Sequence, residues 1–229
     1  LDADYAMNFA TYSPTNDVEM YDWDRQHLGA TISYKWTEAT TFQWMNGYSW
    51  LNGESLEESS TVWDSSAGVE SELTDSIEAG LWLGFLDQSG GPDIRSPKTD
   101  ATVSWRVTPR MILRALYQTS LYPAVQYEDN YNLTHAAHLR ATMQIAEAVW
   151  AKFWVGYQAN EYWEPIEQGG ETYDKLTEEF FPYGVYTEYT IPRKFLGVFA
   201  QADCLAKRSP IEENEFDRYR LSVGLRLEY

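Results

Sequence analysis

The chain has 229 residues, 16% of them aromatic, and a formal net charge of −18. That acidity excludes a nucleic-acid partner, whose phosphates are held by Lys and Arg. No run of about 18 apolar residues occurs, which excludes a transmembrane helix, and the one cysteine, Cys204, excludes an internal disulfide and a structural Cys₂ or Cys₄ metal site.

The dominant pattern is period-two alternation of apolar and polar residues, the signature of strands whose side chains point to opposite sides in turn. A first strand is predicted over 2–13 and a second over 25–36, where Leu28, Ala30, Ile32, Tyr34 and Trp36 oppose Gly29, Thr31, Ser33 and Lys35. In the third, 40–51, Phe42, Trp44, Tyr48 and Trp50 share a face with Asn46. The fourth, 60–72, is the weakest; its apolar face is only Trp63, Ala67, Val69 and Leu73, and an even strand number requires it. The fifth, 75–87, sets Ile77, Ala79, Leu81, Leu83 and Phe85 against Glu78, Gly80, Trp82 and Gly84.

Strands six and seven, 99–107 and 110–121, form a hairpin in which Met111, Leu113, Ala115, Tyr117 and Leu121 oppose Arg114, Gln118 and Ser120. Strands eight and nine cover 131–145 and 148–160, the latter with Val149, Ala151, Phe153, Val155 and Tyr157 opposite Trp150, Lys152, Trp154 and Gly156. The best helix candidate, 138–149, is equally well explained by alternation. Strands ten, eleven and twelve cover 179–191, 194–206 and 217–229; in the last, Tyr219, Leu221, Val223, Leu225, Leu227 and Tyr229 form one face.

The connections alternate in length. Short ones fall at Thr37–Ala39, Leu73–Asp75, Thr108–Pro109, Ala146–Glu147 and Pro192–Arg193, and long ones at 14–24, 52–59, 88–98, 122–130, 161–178 and 207–216. Acids cluster in the long ones, as at Glu54, Glu57 and Glu58 and at Glu161, Glu164 and Glu167. Short turns at one end and long loops at the other are expected of an up-and-down β-barrel that spans a membrane. The apolar faces as assigned carry no Asp, Glu, Lys or Arg, as hydrocarbon demands, and the opposite faces carry Arg, Lys, Glu, Ser, Thr and Gly. Aromatic residues gather at strand ends, Tyr34, Trp36, Phe42, Trp105, Tyr189 and Tyr229 near the short turns and Tyr48, Trp50, Tyr117, Tyr157, Phe181 and Tyr183 near the loops, as interfacial girdles would. The fold predicted is all-β, a transmembrane antiparallel barrel of about 12 strands, with 1–229 as a single domain.

The closing DRYRLSVGLRLEY resembles the terminal strand of bacterial outer-membrane barrels, though these more often end in Phe than in a residue such as Tyr229. The hairpins VSWRVTPRMILRALYQ (103–118) and YTEYTIPRKFLGVFAQ (186–201) are similar to those of the putative β-barrel porin type. This resemblance implies an integral outer-membrane location and a barrel, and it carries no catalytic residue. No signal segment stands at Leu1, so an exported chain is expected to have lost it. Lipid and lipopolysaccharide are the expected surroundings, the latter bridged to the acidic loops by divalent ions.

The inward register holds the chemistry. Arg114, Arg140 and Lys152 lie four to six residues from their short turns on consecutive strands, so they are expected at one height, with His138 two residues above Arg140 and Arg106 lower. Arg220 and Arg226 face inward from the last strand; Glu78, Glu188, Asp203 and Glu228 are the opposing acids. These residues predict a basic strip that draws small, anionic solutes by passive diffusion through a narrow lumen. The competing expectation is a plugged barrel, filled by such pairs and by Trp82, Trp150, Trp154 and Tyr186, that anchors loops 52–59 and 161–178 for partner proteins. No enzyme, metal or cofactor is expected. The histidines His27, His135 and His138 lack a His-x-Ser spacing, His135 and His138 face opposite sides of one strand, and no nucleotide-binding motif occurs.

Overall fold

The computed structural model describes residues 2–10, 23–53, 60–90, 93–124, 130–168, 170–191 and 196–227. Twelve long strands form one antiparallel sheet in chain order: β1 (Asp2–Ala10), β2 (Trp23–Lys35), β3 (Thr40–Gly53), β4 (Ser60–Thr74), β5 (Ile77–Ser89), β6 (Ile94–Thr108), β7 (Met111–Pro123), β8 (Tyr131–Ala146), β9 (Val149–Tyr162), β12 (Thr177–Thr190), β13 (Leu196–Arg208) and β14 (Phe216–Leu227). A separate hairpin of β10 (Ile166–Gln168) and β11 (Glu171–Tyr173) occupies the loop between β9 and β12. Each predicted strand is present, the fourth included, and the helix candidate at 138–149 is β8, a turn and the start of β9. Tyr229 and the loop acids Glu54, Glu57 and Glu58 lie outside the described residues.

Nearest-neighbour pairing follows from the turns, which join adjacent strands with two to five residues at one end. Apart from bulges beside three of the short turns, the register holds one parity along each ladder; Phe42 faces Val69 and Tyr34, for example, and Trp44 faces Ala67 and Ile32. One face is thereby apolar and exposed. Leu28, Ile32, Trp44, Leu83, Val103, Phe153, Val155 and Leu221 are 44–78% exposed, an arrangement that hydrocarbon stabilises and water does not. Rings meet along it, Trp36 with Phe42 at 5.5 Å and Tyr48 with Trp50 at 4.8 Å.

The strands run past this belt. At the loop end the outward register acquires charge: Asp87 with Arg95 at 2.6 Å, Arg208 with Asp217 at 2.9 Å, and Glu161 and Glu179. Glu179 was expected on a charge-free face. Its place is a rim beyond the apolar belt, where Tyr157 Oη donates to it at 2.7 Å. From Ile77 to Phe85 the belt on β5 is about 26 Å of strand at about 3.3 Å per residue, which at a tilt of about 40° covers about 20 Å of the roughly 25 Å apolar band of such barrels.

Two expectations at the loop end are corrected. The segment 88–98 is not a long loop, because β5 runs to Ser89 and β6 starts at Ile94, with Gly90 at φ 82° turning the chain. Pro97 argues against a strand in the sequence, but the β6–β7 ladder ends at Asp100–Gln118, so β6 is an edge above that pair, where proline is tolerated. Leu121 does not face lipid; it is 2% exposed. Where β6 and β7 part, Thr119 Oγ1 accepts from the Thr99 amide at 2.7 Å. Above this seam the outward-register Leu121, Tyr131 and Leu133 pack on the inward-register Val62, Leu86 and Ile94, and Tyr131 Oη donates to Ser60 at 2.6 Å. The two sheet edges overlap there in two layers.

The outward belt yields a direct test. Leu81→Arg, in the middle of the β5 belt, is expected to cost about 2–4 kcal/mol in equilibrium unfolding from phospholipid vesicles, whereas Asp87→Asn at the rim is expected to stay within about 1 kcal/mol. Equal costs at the two positions would mean that this face does not look into hydrocarbon.

Candidate functional site: the inner wall

The inward residues fall into rows, one from each strand, set by the ladder register. One row runs Glu72, Glu78, Ser104, Arg114, Arg140, Trp154, Gly184, Asp203, Arg220. Arg106, Ile112, Thr142, Lys152, Tyr186 and Gln201 form the next row toward the short turns. The expected alignment of Arg114, Arg140 and Lys152 is therefore one row out: Arg114 and Arg140 stand directly opposite each other, and Lys152 shares its level with Arg106. Counting residues from the turns hid this because Arg140 stands six residues before Ala146 and Lys152 only three after Val149, where pairing resumes; the bulge between Gln144 and Ala146 reduces that difference of three only to two.

The predicted site residues then divide by partner. Arg226 meets Glu188 at 3.4 Å and Arg220 meets Asp203 at 3.2 Å, so both are neutralised. Glu188 also accepts from Tyr186 Oη at 2.6 Å. Lys152 Nζ lies 5.0 Å from the Tyr186 ring centre, a cation–π contact, and that ring stacks on Phe199 at 5.7 Å. Arg114, Arg140, His138 and Glu78 line one cavity of about 570 Å³. A second cavity of about 440 Å³ continues it toward the short turns, sharing Glu78, Ser104 and Arg114 and adding Arg106 and Glu72. The trough has an acidic bank on β4 and β5 and a basic bank on β6 to β8. Among the described residues, neither Arg114 nor Arg140 has a carboxylate in ion-pair range.

Large inward side chains lie flat along the wall. Gly68 faces Trp82 in the ladder, Gly156 faces His138, Gly184 faces Trp154 and Gly224 faces Phe199. In each case a Cβ on the glycine would strike the ring. The rings use the space of the missing side chains, so they cover the wall instead of crossing the interior. Trp82 donates to Gln43 Oε1 at 3.0 Å and is 8% exposed. The seats could be found in the sequence only once register paired each glycine with its ring.

The sequence reading also missed Lys98, whose Nζ lies 2.6 Å from Asp64. It missed a cap at the loop end as well. There Glu178 and Lys207 pair at 2.8 Å with side chains 0% and 3% exposed, and Tyr162 Oη donates to Glu178 at 2.8 Å. Ala124, Tyr162, Ile166, Leu176 and Ile211 pack beside them, which ties the β10–β11 hairpin to the loops before β8 and after β13. Within that hairpin Tyr173 donates to Glu171 at 3.0 Å, and this bond raises the phenol above its ordinary pKa. His135 faces outward as expected, with Tyr117 Oη 3.0 Å from Nδ1.

The model of the family described as "Putative beta-barrel porin 2" matches residues 49–229. No curated protein sequence matches the chain. Among solved structures, the FrpB iron transporter from Neisseria meningitidis is similar at 9% identity and a TM-score of 0.59, over 89% of this chain and 40% of that one. LpxR from Salmonella typhimurium aligns at 10% identity and a TM-score of 0.37, over 93% of this chain and 90% of that one. The chain thus spans about two fifths of the length of the iron transporter, and the likeness shows a shared fold, an outer-membrane barrel wall.

The flat rings give a stability test. Gly80 also lies under Trp82, and a Cβ there would meet the indole and Thr102. Gly80→Val is expected to destabilise the barrel by about 1–3 kcal/mol, and adding Trp82→Ala is expected to recover most of that loss. Strict additivity in urea unfolding would show that the ring and the glycine are not coupled.

Proposed function

The chain belongs to the family Putative beta-barrel porin 2, an integral protein of the bacterial outer membrane, and on that premise we propose that its lumen is a narrow channel through which small anionic solutes diffuse. The observation that carries this reading is the trough on the inner wall, two joined cavities with Arg106, Arg114 and Arg140 along one bank. The rings seated on glycines support it, because they leave the trough clear. These exposed guanidiniums, without a carboxylate partner among the described residues, attract anions and offer a planar fork to carboxylate or phosphate oxygens. On this reading the protein performs no covalent chemistry.

A second reading, a closed barrel that presents its loops to a protein partner, is favoured by the loop end. There the Glu178–Lys207 cap and the overlapped layers around Tyr131 fill space that an open pore would leave free.

Planar-bilayer recording of the purified protein separates the two. Discrete conductance with a reversal potential on the anion side is expected, and replacing Arg114, Arg140 and Lys152 together by Ala should move that potential to or past zero selectivity. Unchanged selectivity in the triple variant would remove the basic bank from the mechanism, and current indistinguishable from leak would remove the channel. Lys207→Met, which strands Glu178 without its counter-charge at a cost of about 3–5 kcal/mol, is expected to expose the β10–β11 hairpin to protease. If the cap obstructs the lumen, conductance rises in the same variant.

A further inference from the structure

Arg114 and Arg140 are paired across the β7–β8 ladder with both side chains inward. Like charges directly opposite on a sheet repel. Among the described residues, Lys98, Lys207, Arg220 and Arg226 of the inner wall each have a carboxylate between 2.6 and 3.4 Å away, and the like-charged pair Glu72 and Glu78 in the same row is acidic. Glu78 is the nearest acid in the row, and Ser104 stands between it and Arg114. The wall therefore holds two positive charges side by side and leaves them without a protein counter-ion among the described residues.

Their surroundings suit an anion with several oxygens. Thr102, Ser104, Gln118 and His138 line the same cavity and supply further donors. Trp154, opposite Arg140 in the ladder and held flat on Gly184, covers the wall beside it. Opposed residues on neighbouring strands sit about 4.5–5.5 Å apart at Cα, which lets two guanidiniums converge on one doubly charged group or span a short molecule with a charge at each end. At about 570 Å³ the cavity admits a small organic molecule.

We propose that Arg114 and Arg140 form a saturable binding site for one small dianion bearing oxygen acceptors, of the phosphate or short-dicarboxylate type. This deepens the channel reading and rests on it for solute access, while binding itself needs only the wall. The site makes passage selective: a dianion is held at one level of the lumen before release, and a monoanion is not.

Calorimetric titration of the purified full chain in detergent micelles, at constant ionic strength, tests this with inorganic phosphate near pH 8, succinate, and acetate as the monoanion. Saturable 1:1 binding of phosphate, succinate or both is expected, and none of acetate at the same concentrations; the stronger of the two identifies which acceptor the site prefers. Arg114→Gln and Arg140→Gln should each weaken binding about tenfold or more. Arg114→Lys, which keeps charge and fold but loses the fork, should weaken it less, and Arg208→Gln at the outer rim should not change it. Equal binding of acetate, no binding of either dianion, or binding indifferent to the arginine variants would overturn the site. In bilayers, chloride current should be blocked saturably by the dianion that binds. Binding without any current leaves the site standing and ends the channel reading; current that dianions never block leaves the channel standing and ends the site.

Discussion

A peptide group inside hydrocarbon has no water to bond, and this constraint organises the molecule. Only a sheet whose strands pair neighbour to neighbour satisfies each amide across the membrane without a helix. The antiparallel order from β1 to β14 meets it with short turns at one end. Pairing fixes the side-chain period at two, so one constraint on the backbone divides every strand into a face for lipid and a face for the interior. Among the described residues, ion pairs such as Asp87–Arg95 and Arg208–Asp217 appear on the outward face only at the loop end, where water returns.

The interior solves a different problem, since it must hold large and charged side chains without clogging. Trp82, Trp154 and Phe199 are laid down on Gly68, Gly184 and Gly224, so bulk is placed along the wall. Charge is handled locally too. Asp203 and Glu188 answer Arg220 and Arg226 from nearby strands, and Tyr186 receives Lys152 on its ring. Against this background Arg114 and Arg140 stand opposite each other with no carboxylate in ion-pair range among the described residues.

Much of this was legible in the sequence because period-two alternation is local. Ile77 to Phe85 or Tyr219 to Leu225 announce their own outward face, and even β4, with only four apolar residues to show, follows from the need for an even count. The inward assignment of the nine candidate residues followed from the same parity. What the sequence hid depends on contacts between distant segments. The burial of Leu121 reflects where β6 and β7 separate, which no property of 111–121 reveals. Glu178 and Lys207 read as two surface charges until the cap closes on them. Lys152 sits one row nearer the short turns than Arg140 because pairing resumes only at Val149, three residues from Lys152, and the bulge beside that turn offsets only one residue of the difference.

The seam at Thr119 separates two kinds of change the molecule can absorb. Below it, each strand is locked to two neighbours, and altering one shifts its partners in turn. Above it, among the described residues, the Thr119 hydroxyl on the Thr99 amide and the packing of Leu121, Tyr131 and Leu133 on Val62, Leu86 and Ile94 stand in for the missing ladder, so the upper β7–β8 hairpin is joined to β6 by side chains and not by backbone pairing. Lengthening or exchanging that tip leaves the count and stagger of the membrane wall untouched, so the outer surface of the barrel is free to diversify while its span stays fixed.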